Sequence, residues 1–180
     1  MSVSELQVFY KDAVIPKLME KHGYTNRLQV PRLTKIVVNT GINSSREKEV
    51  QQEAAKVLAT ITGQKPVMTK SKKSISNFKL REGMTVGSCV TLRGAKMMNF
   101  FYRLVNVTLP RVRDFRGVNA RGFDGAGNYN LGITEQNVFT EVELDKIKHS
   151  LGMNITIVTT AHTDAEAKDL LSLLGMPFSH

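Results

Sequence analysis

Residues 33–40 alternate apolar and polar side chains with the two-residue period of a β-strand. Ile36 and Val38 fall on one side of this predicted strand, and Lys35 and Asn39 fall on the other. The apolar side predicts a face of the core. A cation and an amide on the other side suit a sheet that meets a polar partner, although for this strand alone exposure to solvent is the simpler explanation.

The same period runs through residues 85–93, where one side is small and polar and ends in a cation. That side consists of Thr85, Gly87, Cys89, Thr91 and Arg93. Small side chains let the backbone of a partner approach closely, and Thr91 and Arg93 can donate to phosphate or ribose hydroxyl groups. A covering helix would also explain small residues, but an arginine on the same side disfavours that alternative.

Four stretches show the 3.6-residue period of amphipathic helices. They are residues 4–22, a helix capped by Ser44 or Ser45 and ended by Gly63, residues 95–109 before Pro110, and residues 163–174. Pro16 predicts a kink or a division of the first helix at Ile15. Thr163 and Glu166 predict a capping box at the start of the last one. Further strands are expected at 64–69, 128–133 and 154–161, and a short helix at 145–151.

Helices and strands interleave without a regular βαβ period, which favours an α+β fold. We expect a single-domain sandwich over residues 1–180, with one antiparallel sheet, helices on one face and a polar opposite face. A chain of 180 residues is long enough for one well-buried core.

The net charge of +9 is distributed unevenly. Residues 1–122 carry 22 Lys and Arg against 8 Asp and Glu, whereas residues 123–180 carry 3 against 8. A basic body of this kind favours nucleic acid, an anionic membrane surface or an acidic protein as partner. No basic amphipathic helix or long apolar run supports a membrane as the partner. The lone Cys89 and the polar N-terminus suggest a cytoplasmic protein.

Residues 69–84 form a long basic loop between two predicted strands. It holds five cations against the single acid Glu82: Lys70, Lys72, Lys73, Lys79 and Arg81. We interpret it as a finger presented to a polyanion, with a solvated surface loop as the alternative. A second basic segment, residues 111–132, combines five glycines with Arg111, Arg113, Arg116 and Arg121.

Motifs for catalysis are missing from the sequence. The four histidines lack metal-ligand spacing, and the dinucleotide-like pattern that starts at Gly125 fails at Asn130. We therefore expect no enzyme, no metal, no cofactor and no small-molecule substrate. Two alternatives are a nucleotide-dependent enzyme built on residues 117–132 and a free regulatory nucleic-acid-binding protein.

Seven runs of residues, in order along nearly the whole chain, resemble one known family. They are I-V-V-N-T-G at 36–41, T-G-Q-K-P-V-M-T-K-S-K-K-S at 62–74, F-K-L-R-E-G at 78–83, V-T-L-R-G at 90–94, P-R-V-R-D-F-R-G at 110–117, F-D-G-A-G-N-Y at 123–129 and N-I-T-I-V-T-T-A at 154–161. The combination is similar to the bacterial large-subunit ribosomal protein L-five family, which carries 5S ribosomal RNA. This resemblance implies a structural protein of the central protuberance that joins 5S rRNA to 23S rRNA.

The resemblance also implies which residues meet which partner. We expect contacts to 5S rRNA from Asn39, Gln64, Thr91, Arg93, Lys35 and Lys70, with Gln64 assigned by resemblance alone. We expect contacts to P-site tRNA from Lys72, Lys73, Ser74, Phe78, Lys79 and Arg81. Contacts to rRNA or to a protein of the small-subunit head, across an intersubunit bridge, are expected from Arg111, Arg113 and Arg116.

One departure from the family pattern is the run Phe139-Thr140-Glu141, where the family usually has Phe-Pro-Glu. Losing the proline frees φ at this position. The conformation of this turn is therefore left open by the sequence.

Overall fold

Five strands form one antiparallel sheet in the order β2-β3-β1-β5-β4. The computed structural model describes residues 6, 8–42, 48–143 and 149–179. The strands are β1 (Leu33–Gly41), β2 (Val67–Lys70), β3 (Thr85–Leu92), β4 (Tyr129–Ile133) and β5 (Met153–Thr159). Four α-helices lie in the described residues: α1 (Ile15–His22), α2 (Lys48–Thr62), α3 (Gly94–Arg103) and α4 (Asp164–Leu173). The predicted α+β class with one antiparallel sheet is confirmed.

The chain divides into two compact units. The first comprises Met1–Ile36, Arg93–Leu131 and Thr156–His180, and the second comprises Val37–Leu92 and Gly132–Ile155. Strands β1, β4 and β5 each have residues in both units. The single domain over residues 1–180 stays a prediction.

The alternation predicted for the two central strands is present in the structure. In β1, Ile36 and Val38 are fully buried, whereas Lys35 and Asn39 are only half-buried. In β3, Ser88, Val90 and Leu92 are buried, whereas Cys89 and Thr91 are half-buried. The alternation is absent at the start of β3, where Thr85 and Val86 are both half-buried and Gly87 is buried. Each strand therefore turns one side to the core and keeps the other accessible.

Position 87 requires glycine because the neighbouring strands lie close to it. A Cβ atom at this position would clash with the backbone carbonyl oxygen of Thr40 and press on the Thr69 hydroxyl. The close approach of the two strands thus requires glycine here. Packing within the sheet therefore explains why residue 87 is small, without the approach of an outside partner.

The buried side of the second unit is filled from α2, which contacts β3. Val50 and Ala54 of this helix pack with Ile42 and Leu151 in one apolar cluster. The helix is followed by Gly63 at φ +64, as the sequence predicts. The predicted cap at Ser44 or Ser45 lies outside the described residues, as do residues 1–5, 7 and most of the predicted helix at 145–151.

Pro16 divides the first helix at the predicted place. A π-helical turn, Tyr10–Val14, precedes α1, and the Ile15 N–H donates to the Tyr10 carbonyl. Pro16 then lies in the first turn of α1, directly after this wider turn, and the backbone stays right-handed helical at Val14 and Ile15. The division expected at Ile15 is confirmed.

The helix expected over 95–109 is shorter than predicted. Regular α-helix stops at Arg103 and is followed by a π-helical turn, Leu104–Thr108, and a 3-10 turn, Leu109–Arg111. Pro110 lies in the first turn of the 3-10 segment, so it does not end an α-helix. A wider turn before the proline accommodates its ring and its missing N–H.

The last helix begins as predicted with a capping box. The Glu166 carboxylate accepts a hydrogen bond from the Thr163 N–H at 3.3 Å, and the Thr163 hydroxyl accepts one from the Glu166 N–H at 3.4 Å. Ala167, Leu170 and Leu171 are fully buried on its inner side. Both the start and the apolar face of this helix are therefore confirmed.

Thr140 occupies a turn that would accept the proline usual in the family. The Val142 N–H donates to the Phe139 carbonyl at 3.3 Å, which makes Thr140 the second residue of a β-turn. Proline is favoured at that position. Phe139 has φ −85 and ψ 124, in the extended region that a residue before proline prefers.

We expect Thr140→Pro to raise the free energy of unfolding by about 0.4–1 kcal/mol, because it restricts the unfolded chain at a compatible site. Urea denaturation of both proteins measures the difference. Thr160→Pro serves as control and should destabilise, because it removes the N–H that donates to Arg32 at 3.0 Å. A lower stability of Thr140→Pro than of the parent protein would show that the turn differs from this description.

Candidate nucleic-acid interface

The accessible side of β1, β2 and β3 in the second unit carries small and polar residues. In the β2–β3 pair, Val67 lies opposite Cys89 and Thr69 lies opposite Gly87. Directly opposed residues of antiparallel strands project from the same face. The outer face, as we name it, comprises Asn39, Val67, Thr69, Thr85, Cys89 and Thr91. Val67 is its one large apolar residue on β2 and is 71% exposed.

Gln64 lies directly against the outer face. Its side-chain amide donates a hydrogen bond to the backbone carbonyl of Thr91 at 3.2 Å. Thr62 fixes the adjoining backbone, because its hydroxyl donates to the Leu58 carbonyl at 2.7 Å and accepts from the Gln64 N–H at 3.4 Å. The sequence pattern could not place Gln64 on the sheet, and the structure brings it beside Thr91.

Four polar side chains of the outer face have no hydrogen-bond partner within the described part of the chain: the amide of Asn39 and the hydroxyls of Thr69, Thr85 and Thr91. Asn39 and Thr91 are the two of these that the sequence predicts as RNA contacts. Both residues are half-buried, so their polar groups are fixed by the strands and still accessible. Fixed, unoccupied donors and acceptors next to small residues can bind a polar surface that lies close to the sheet.

Lys35 and Arg93 belong to the first unit, whereas Asn39, Gln64, Lys70 and Thr91 belong to the second. Strand β3 ends at Leu92, one residue earlier than predicted. Arg93 instead precedes α3 as its N-cap residue, with an extended backbone and an exposed side chain. Its backbone is therefore held by the helix start and not by the strand ladder.

The basic finger, residues 69–84, is a folded extension of the β2–β3 hairpin. A bulge shifts the register between Thr69 and Lys70. Beyond it, the Ser71 N–H donates to Met84 at 2.8 Å, and Ser71 accepts from the Gly83 N–H at 2.9 Å. The hairpin therefore continues past β2 with hydrogen bonds of its own.

The tip of the basic finger is closed by a second pair of backbone hydrogen bonds. Ile75 and Leu80 exchange N–H···O bonds of 3.0 Å in each direction. Between them lie a 3-10 turn, Ser76–Phe78, and Lys79 in the left-handed region at φ 51. Ser74, a predicted site residue, accepts the Glu82 N–H at 3.0 Å and so also holds the two arms together.

The finger presents cations and one aromatic ring to the outside. Lys72, Lys73, Lys79 and Arg81 are exposed and, within the described residues, form no ion pair. Phe78 is 66% exposed at the tip. Ile75, which sequence reasoning did not single out, is 43% exposed beside it. Cations around an exposed aromatic ring suit the phosphates and bases of a nucleic acid.

Arg111, Arg113 and Arg116 lie in the first unit and are all exposed. Asp114 between them adopts φ 51, and Gly117 adopts φ +102 with the backbone of Ser179 too close for a side chain. This irregular backbone keeps the three guanidinium groups on an accessible segment.

The glycine-rich loop at 123–129 is occupied by carboxylates of the chain itself. The N–H groups of Gly125 and Gly127 donate to Asp164 at 3.1 and 3.0 Å. The Asp124 carboxylate accepts from the N–H groups of Ala126 and Asn128 at 2.9 and 3.0 Å. Backbone donors that already bind carboxylates cannot also cradle a phosphate. This geometry disfavours the alternative of a nucleotide-dependent enzyme.

Two family profiles cover most of the chain. The profile described as "Ribosomal protein L5" matches residues 26–81, and a profile for the C-terminus of the same ribosomal family matches residues 85–178. The chain belongs to the ribosomal protein L5 family. That family is a structural, non-enzymatic component of the ribosome, which confirms the expectation that the protein is not an enzyme.

Similar full-length proteins are found among L5-family members of several bacteria. The large ribosomal subunit protein uL5 of Halothermothrix orenii is 54% identical over 178 residues, which cover 98% of this chain and 99% of the relative. That of Thermosipho africanus is 56% identical over 179 residues, 99% of each. That of Kosmotoga olearia is 56% identical over 170 residues, 94% of this chain and 93% of the relative.

Within residues 6, 8–42, 48–143 and 149–179 of this L5-family chain, no three His, Cys, Asp or Glu side chains lie together as metal ligands would. Across the same residues, no helix is both long and apolar enough to cross a bilayer.

The hydrogen bonds from Asn128 and Ala126 to Asp124 lower the pKa of this carboxyl below its usual 3.8. A carboxyl with a lowered folded-state pKa stabilises its loop above the usual value, and this contribution is lost as the pH falls through the folded pKa. We therefore expect the amide NMR signals of Ala126 and Asn128 to titrate with a midpoint below 3.8. Asp124→Asn should abolish that step. A midpoint at or above the usual value would contradict the described hydrogen bonds.

Proposed function

We propose that this protein is a constituent of the large ribosomal subunit that binds 5S rRNA through the outer face and joins it to 23S rRNA. The basic finger contacts P-site tRNA, and the arginine segment contacts rRNA or a protein of the small-subunit head across an intersubunit bridge. The relatives carry names of large-subunit proteins, which supports the assignment of this protein to the large ribosomal subunit. Membership of a bacterial ribosomal family also supports the cytoplasmic location expected from the sequence.

The observation that carries the proposal is the outer face with its unoccupied polar groups. Asn39 and Thr91 offer an amide and a hydroxyl without partners among the described residues, and Gln64 is held beside them. An RNA helix displays ribose 2′-hydroxyl groups in a shallow minor groove, and these both donate and accept hydrogen bonds. Short polar side chains on a sheet match such a surface better than they match the deep grooves of DNA.

Cations provide the sequence-independent part of the affinity. Lys70 lies at the exposed end of β2, and Lys35 and Arg93 lie in the first unit. Each phosphate that such a residue neutralises makes the log–log dependence of affinity on salt steeper by about 0.7–0.9. Lysines and arginines therefore supply attraction, while Asn39, Gln64 and Thr91 supply the fit to 5S rRNA.

The folded state of the basic finger supports a role in contacting a second RNA. Its arms are tied by backbone hydrogen bonds at Ser71 and Ile75, so little order has to be gained on binding. The exposed Phe78 and the cations Lys72, Lys73, Lys79 and Arg81 suit a ribose–phosphate backbone with accessible bases. We assign this surface to P-site tRNA.

We expect the double variant Asn39→Leu and Thr91→Leu to lose at least about tenfold in affinity for 5S rRNA, or roughly 1.4 kcal/mol. Bulky apolar side chains remove the polar contacts and push the RNA away from the sheet. A filter-binding titration at fixed salt measures the effect.

The matched control makes the same residue changes on exposed helix positions. Asn99→Leu and Thr60→Leu place two leucines at exposed positions of α3 and α2 that are not part of the outer face. This variant should bind 5S rRNA like the parent protein. Equal affinities for the outer-face variant and its control would refute the assignment of the sheet. Equal affinity of the parent protein for duplex DNA would favour a free regulatory protein.

We expect Lys72→Ala, Lys73→Ala and Arg81→Ala together to leave 5S rRNA binding within a few-fold while weakening P-site tRNA on assembled ribosomes about tenfold. Three lost phosphate contacts account for a change of that order. Toeprinting or filter binding of tRNA on reconstituted ribosomes reports the second quantity.

Removing three exposed helix cations provides the control for net charge. Lys17→Ala, Lys56→Ala and Lys168→Ala lie on α1, α2 and α4, and the three side chains are exposed. This variant should retain tRNA binding. If the finger variant also retained it, the finger would have no role at the P site.

A further inference from the structure

Leu28 is an unusually exposed aliphatic side chain held on a rigid turn. It is 88% exposed, and it lies in a 3-10 turn, Arg27–Gln29, of the first unit. The Asn26 side chain accepts the Leu28 N–H at 2.9 Å, and the Gln29 side chain accepts the Asn26 N–H at 3.4 Å. A reciprocal cap of this kind fixes the backbone, so the turn itself presents Leu28 to the outside.

The residues after the turn are tied to the body of the first unit. The Tyr10 hydroxyl donates to the Pro31 carbonyl at 2.9 Å. The Arg32 N–H donates to the Thr160 hydroxyl at 3.0 Å, and Val30 is buried. The segment that bears Arg27, Leu28 and Arg32 is therefore anchored to the first unit at its C-terminal end.

A groove beside Leu28 has a basic rim. Residues that line it include Tyr10, Lys11, Asp12, Arg27, Leu28 and Arg32. We call it the N-terminal groove. Its three cations face one acid, and within the described residues none of these cations is in an ion pair. Burial raises the pKa of the Tyr10 phenol and the nearby charge of Arg32 partly offsets this, which is consistent with the guanidinium lying close to the ring.

We infer that the N-terminal groove is a second RNA-binding surface, in which Lys11, Arg27 and Arg32 bind phosphates and Leu28 packs against an unstacked base or ribose. This inference rests on the proposed function, which already requires contact with an RNA besides 5S rRNA. The occupant we assign is a segment of 23S rRNA. Because this groove lies wholly in the first unit, it is distinct from the outer face and the basic finger, whose residues belong to the second.

The pattern of exposure favours RNA over an acidic peptide. An amphipathic helix needs several apolar anchors at i, i+3 or i+4, and i+7. Of the apolar residues that line this groove, Leu28 alone is strongly exposed, while Val30 exposes only 3% of its surface. Val8 and Phe9 are exposed as well but do not line the groove. One aliphatic contact beside three cations suits a phosphate chain with one ribose or base face better than it suits an amphipathic peptide.

The test compares two steps of assembly with full-length protein. The first step measures the affinity for 5S rRNA, and the second measures the capture of the labelled 5S rRNA–protein complex by isolated 23S rRNA. The groove variants are Arg27→Gln with Arg32→Gln, and separately Leu28→Ala. We expect both to bind 5S rRNA within about twofold of the parent and to lose about tenfold or more in the second step. The double arginine variant should also make the log–log salt dependence of the second step less steep by about 1.4–1.8.

The charge-matched control is Lys17→Gln with Lys168→Gln, two exposed helix residues outside the groove. It should match the parent in both steps, and thermal unfolding should show that all variants fold. If the groove variants were captured by 23S rRNA as well as this control while the parent complex was captured, the inference alone would be overturned. Failure of the parent protein to bind 5S rRNA in the first step, or of its complex to be captured in the second, would instead overturn the proposed function and the inference that rests on it.

Discussion

The alternation of β1 and β3 is the constraint on which the rest of the structure depends. Ile36, Val38 and Leu92 are completely buried, and Val90 is 2% exposed. A slip of one residue in either strand would turn these side chains to the outside and bury the polar ones. The hydrophobic cost of such a slip, of order 1.5–3 kcal/mol per large side chain, fixes the register. The position of Asn39 and Thr91 on the accessible side follows from the burial of their neighbours.

The basic finger depends on the same hairpin. The β2–β3 ladder continues through the bulge at Thr69 and Lys70 into the bonds at Ser71 and Ile75. A bulge re-aims the strands that follow it while keeping them paired. The hairpin of the second unit therefore combines part of a polar sheet face with a cationic, apolar-tipped extension. The proposed contacts to tRNA and part of those to 5S rRNA use this hairpin, and Asn39 on β1 and Gln64 before β2 complete the 5S rRNA surface.

Local patterns in the sequence predicted much of this arrangement, and long-range contacts explain what they missed. The two faces of β1 and β3, the division at Ile15 and the capping box at Thr163 all follow from short-range spacing. The placement of Gln64 on the Thr91 carbonyl joins residues 27 positions apart. The binding of Gly125 and Gly127 to Asp164 joins residues nearly 40 apart, and no local motif signals it. The π-helical turn before Pro110 was missed because the apolar period continues through it.

Cys89 offers the most direct measurement of the central claim that 5S rRNA lies on the outer face. It is the single cysteine of the chain, it is half-buried on that face, and burial raises the pKa of its thiol. Alkylation by a maleimide at mildly alkaline pH can therefore be followed on the natural sequence. The account predicts that saturating 5S rRNA slows alkylation of Cys89 at least tenfold, roughly the effect of closing a surface to the reagent. An unchanged rate with 5S rRNA bound would contradict it.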